Sequence, residues 1–182
     1  FTMVTFVTIS QSTVPTLWTK LRRDNMRTAA VLLTLAMIMG KTDPVASQQI
    51  AQAESKGKVE QTVVSFLAEL GALDVDALEK RLHPKMSLLV VRKTDEGMKT
   101  SVSDRRNWLA SLRGASTPFV ERIGSPIITI DGGTLAHVRA EFTVEREGRI
   151  LSHGVDHFTL VQEGGVWLIA NIAYTSIPGP PA

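Results

Sequence analysis

The 182-residue chain contains no cysteine. Disulfides, thiolate catalysis and cysteine-ligated zinc are therefore excluded, and an oxidising compartment is tolerated but brings no benefit. Tyrosine occurs once, as Tyr174, so any phenol chemistry must come from that one side chain. The apolar run Ala29–Met39 has about 11 residues, short of the roughly 20 that a membrane-spanning helix needs. Also missing are a serine triad, a phosphate-cradling glycine loop and a dinucleotide fingerprint, because Gly132-Gly133 and Gly164-Gly165 fall at hairpin turns. The formal charge of +2 is concentrated near the start of the chain. Beyond residue 53 there are 15 Lys/Arg against 16 Asp/Glu, with no basic stripe interleaved with aromatics, so nucleic acid is not an expected partner.

What is present begins with a leader. From Met26 the chain reads MRTAAVLLTLAMIMG, a short basic start and an apolar core followed by small and polar residues, which is the layout of a secretory signal peptide. Cleavage is expected after Ser47 or Ala53, the second being favoured. This divides the chain into an upstream segment of unassigned role (1–25), a signal peptide (26–53) and a mature domain (54–182). It predicts export to the periplasm or medium, with no stable membrane span after cleavage.

The mature domain changes period halfway along. Val59, Val63, Phe66, Leu67 and Leu70 mark one face of a helix ending at Gly71. A short second helix with Asp76 as N-cap carries Leu78 and Leu82 inward before Pro84, and Met86–Arg92 reads as a strand. A third helix from about Ser103 places Trp108, Leu109 and Leu112 together. Strand patterns then take over. Phe119–Ile130 is broken at Gly124-Ser125-Pro126, and Leu135–Glu145 alternates strictly, with Ala136, Val138, Ala140, Phe142 and Val144 on the buried face. Arg149–Val161 and Val166–Tyr174 follow, separated by Gly-containing turns. The fold class expected is α+β, with helices laid across one face of a curved antiparallel sheet.

This order of elements, together with IDGGTLAHVRAEFTV, SHGVDHFTL and GGVWLIANIAYT, resembles the nuclear transport factor 2-like superfamily, particularly exported SnoaL-like and lumazine-binding-like members. The resemblance covers roughly Val59–Thr175. It implies a cone of cystatin-like curved sheet closed by N-terminal helices, with a pocket at the wide end and often a homodimer. Relatives include ketosteroid isomerase, scytalone dehydratase, limonene epoxide hydrolase, polyketide cyclases and binding proteins without chemistry, so fold alone selects no activity. Two departures count against specific chemistries: the early helix has Phe66 where ketosteroid isomerases use tyrosine, and Arg139 and Glu141 lie on the face opposite Phe142.

Asp156 shares a strand face with Gly154, Phe158 and Leu160, and an isolated carboxylate on such a face must be satisfied, neutral or exposed to a cavity. Three roles stay open for it: structural acid, ligand contact, or general base or acid with a pKa raised by burial. Tyr174, near the end of the last strand, is either a rim residue or a donor to a developing oxyanion. The expected pocket is lined by Trp108, Phe142, Asp156, Phe158, Trp167 and Tyr174 and holds a small, largely apolar ligand. No cofactor is expected. His153 and His157 stand about 13 Å apart on one strand and so cannot share an ion, and no metal is expected. Three functional readings follow: an exported binding domain, a cofactor-independent isomerase, dehydratase or cyclase with Asp156 as base, and a homodimeric interaction module.

Overall fold

The buried residues of the first helix set its position against the sheet. In the computed structural model, which describes residues 44–181, helix α1 (Pro44–Ala72) buries Val59, Val63, Phe66 and Leu67 at the expected spacing. Residues 45–58 of this helix are exposed apart from half-buried Ser55, so the favoured cleavage point after Ala53 lies ahead of the first buried position. The upstream segment and residues 26–43 of the expected signal peptide lie outside the described residues. Among the described residues no helix is long and apolar enough to cross a membrane. Gly71 is required by close approach: its carbonyl accepts from Phe119 N at 3.0 Å, and a Cβ there would meet the Phe119 carbonyl oxygen at 2.5 Å.

Helix α2 (Val75–Arg81) starts two residues earlier than the sequence suggests. Asp74 caps it, its side chain accepting from Ala77 N at 3.1 Å, while Asp76 sits in the first turn. The reason is Val75, which is buried and so belongs to the helix. The chain runs directly into β1 (Leu82–Thr94), where Pro84 falls in an irregular stretch between the Leu82–Ile169 and Ser87–Asn171 pairs. Strand β2 (Gly97–Asp104) returns antiparallel along β1 and is almost entirely exposed. Asp104 then caps α3 (Arg105–Arg113), accepting from Asn107 N at 2.8 Å, and this helix buries Leu109 while Trp108 and Leu112 pack on the core's edge.

Strands β3 (Val120–Ile123) and β4 (Ile127–Asp131), separated at the Gly-Ser-Pro break, both pair with β5 (Leu135–Arg146). Two hairpins add β6 (Arg149–Glu163) and β7 (Val166–Pro178). The sheet order is β2-β1-β7-β6-β5-β3, curved and unclosed, with β4 also on β5. One pair departs from the antiparallel expectation: β1 lies parallel to β7, which makes the sheet mixed. That pairing joins the first strand to the last and has no local signature in the chain.

Helices α1, α2 and α3 all contribute to the core that packs against the sheet, which includes Phe66, Leu78, Met86, Leu160 and Ile169. Each is at most 1% exposed, and burying such a side chain contributes about 1.5–3 kcal/mol. The Phe66 ring meets Phe158 edge-on at 5.9 Å and Trp108 at 6.0 Å.

Candidate functional site

Four neighbouring strands change character along their inward faces, all toward the same end of the sheet. On β6 the inward series runs Leu160, Phe158, Asp156; on β5 it runs Val138, Ala140, Phe142, Val144, Arg146; on β1 it runs Leu88, Val90, Arg92. On β7 the register slips, since Thr159 pairs with Asn171 but Leu160 pairs with Ile169, which leaves Ala170 as an extra residue. This bulge reverses the parity set by Trp167 and Ile169, so Ile172, Tyr174 and Ser176 point inward. The polar ends of these series surround a cavity of about 280 Å³ between the sheet and helices α1 and α3.

Its deep wall is apolar, formed by Phe66, Leu88, Trp108, Phe158 and Ile172. Asp156, 3% exposed, lies opposite Ala140 on β5 and Tyr174 on β7, and its Oδ2 has no hydrogen-bond partner among the described residues. Burial, and then the neighbouring Glu121 carboxyl, push the Asp156 pKa up to about 9. Burial likewise raises Glu121 above the ordinary carboxylate range, while the proton bridging to Asp156 pulls it back down. Two adjacent carboxyls in a poorly solvated site cannot both ionise cheaply, so Asp156 keeps its proton at neutral pH. Asp156 in this state is a proton donor, and its proton goes to Glu121.

Tyr174 packs its ring edge-on against Phe142 at 6.0 Å, and burial raises its pKa despite the opposing pull of the Arg92 guanidinium beside its hydroxyl. The phenol is therefore neutral and able to donate at any ordinary pH. Trp108, Phe142, Asp156, Phe158 and Tyr174 all line this one cavity. Trp167 does not: it is buried at the opposite end of β7 and lines a separate recess with Gly57 and Thr62 of α1.

Glu121, Arg92 and Arg146 were not singled out from the sequence. Glu121 sits on a four-residue strand whose alternation places it with Ile123 facing inward, a pattern too short to read alone. Arg146 continues the β5 series beyond Val144, so counting the strand one residue further would have found it. The histidines are elsewhere: the His153 ring is 2.8 Å from the Gly179 carbonyl, His157 is exposed opposite Arg139, and His137 Nδ1 lies 3.4 Å from Thr159 Oγ1. Gly154 is the second glycine demanded by contact, since a Cβ would run into the Thr175 carbonyl and approach Phe142 Cε1 at 2.9 Å.

No family model matches the chain, and no curated protein matches it. Solved structures do. An NTF2-like protein with a cystatin-like fold from Novosphingobium aromaticivorans superposes with a TM-score of 0.61 at 14% identity, over 75% of this chain and 92% of that one. The β subunit of a candidate aromatic-ring-hydroxylating dioxygenase from the same organism gives 0.57 at 16% identity, over 73% and 95%. A candidate scytalone dehydratase, again from that organism, gives 0.56 at 15% identity, over 70% and 87%. The chain thus has the nuclear transport factor 2-like, cystatin-like fold. At such identities the likeness concerns architecture, and function must be argued from the cavity.

Proposed function

We propose that this domain binds one small, largely apolar molecule in the cavity, with a hydroxyl or amide N–H of the ligand donating to the Asp156 oxygen that Glu121 leaves free. The observation that supports it is the Asp156 Oδ2: a buried polar atom without a partner costs about 1–3 kcal/mol, and its side chain lines the cavity, where a ligand donor can satisfy it. Tyr174, directly opposite Asp156 on the adjacent strand and on the same face, supplies a hydrogen-bond donor. Calorimetric titration of the protein with naphthamide, an apolar amide, tests this. Binding is expected, weakened about tenfold by Asp156→Ala. Equal affinity and equal stability in the two proteins would overturn the reading.

A second reading is favoured by the pairing of two carboxyls, Asp156 and Glu121, in one cavity with Tyr174. One acid and one base beside a neutral phenol is the equipment for cofactor-independent isomerisation, dehydration or cyclisation, with Asp156 donating a proton, Glu121 accepting one and Tyr174 stabilising an oxyanion. It requires turnover that Asp156→Asn abolishes while the fold is retained. Export through the leader and homodimer formation belong to the same proposal; N-terminal sequencing of the mature protein and light scattering over a concentration series test them.

A further inference from the structure

The cavity mouth carries two guanidiniums that the binding reading leaves unused. Arg146 ends the inward face of β5, and its Nε is buried without a hydrogen-bond partner among the described residues. Its one hydrogen bond runs from Nη2 to the Thr117 carbonyl at 3.4 Å, long for an N–H donor. Arg92 reaches the same end of the sheet from β1, beside the Tyr174 hydroxyl. Ion pairs among the described residues engage six other basic side chains, yet neither Arg92 nor Arg146, even though Glu121 lines the same cavity.

Charge in the lining points the same way. With Asp156 protonated, the acids contribute at most one negative charge and the two arginines contribute two positive ones. The lining therefore carries net positive charge around an apolar chamber. A buried guanidinium nitrogen without an acceptor is costly, and a planar oxyanion matches its fork of donors better than any neutral group does.

Resting on the binding reading above, we infer that the ligand is an apolar acid: a body of one or two rings seated against the wall that Phe66, Trp108 and Phe158 form together, with a carboxylate held by Arg146 and Arg92. The volume supports a small body, since about 280 Å³ is just below the roughly 300–1,000 Å³ usual for small-molecule sites.

The test compares naphthoate with naphthamide, which share a ring body and differ in charge, by calorimetry at pH 7 on the full chain and on Arg146→Met and Arg92→Met. Naphthoate is expected to bind about tenfold or more tightly than naphthamide, and Arg146→Met to reduce that preference to about threefold or less. Equal affinities in the unsubstituted chain would overturn the acid subsite and leave the binding reading standing. A preference that survives both substitutions would overturn the assignment to these arginines. Failure of both probes to bind would overturn the binding reading and this inference with it. The comparison in the unsubstituted chain decides the matter even if a variant does not fold.

Discussion

The two ends of the sheet are built from the same strands and obey opposite rules. At the closed end, Val138, Leu160 and Ile169 are each at most 2% exposed and pack as solid hydrocarbon. At the open end the same inward faces present Asp156, Tyr174, Arg92 and Arg146 around a hollow. The closed end concentrates packing energy and leaves one buried polar atom, Trp167 Nε1, without a partner among the described residues, while the open end leaves two, Asp156 Oδ2 and Arg146 Nε, on ionisable side chains, where the cost to stability is larger. Buried polar groups that weaken a fold and face an empty space are what a binding or catalytic site requires, and the contrast between the two ends is the strongest functional statement the molecule makes.

Substitutions at the two ends should therefore shift stability in different directions. The largest effect is expected at the closed end: Leu160→Ala, which opens a void in a filled region, should lower unfolding free energy by about 3 kcal/mol in urea denaturation. At the open end Asp156→Asn should do the reverse, raising stability by about 2 kcal/mol at pH 8, because the amide stays neutral and still donates toward Glu121.

The pH profile sharpens this contrast. The folded pKa of Asp156 lies above its unfolded value, so its contribution is fully present below about 4 and is lost as pH rises toward about 9. The unsubstituted chain should weaken across that window, and Asp156→Asn should show a flatter profile. A loss of stability in Asp156→Asn across the whole range would show that the carboxyl is a structural anchor. The smallest effect is expected for Arg146→Met, which removes a guanidinium held only by a long hydrogen bond to the Thr117 carbonyl and keeps most of the stem; its melting temperature should move by no more than about 2 °C.

The two ends were also unequally legible in the chain. Strict alternation on β5 and the shared parity of Asp156, Phe158 and Leu160 could be read because long strands with one buried face repeat every second residue. Strand β2 could not, because GMKTSVSD is exposed nearly throughout and owes its conformation to pairing with β1. Tyr174 could be placed near the mouth, but its inward direction depends on the bulge at Ala170, which no local pattern announces. Glu121 was hidden for a related reason: its strand is short, and its meaning comes only from Asp156, brought beside it from 35 positions away in the chain. Where packing sets the pattern, sequence suffices; where a site is assembled from strand ends, register and bulges decide.

The protonation of Asp156 underlies the donor role, the net charge of the cavity and the unusual pH dependence together. A carbon-13 NMR titration of its side-chain carboxyl, assigned by comparison with Asp156→Asn, should show a group still protonated at pH 7 with a midpoint of about 9. A midpoint near 4, the value of an ordinary solvated aspartate, would refute the buried acid and the functional reading built on it.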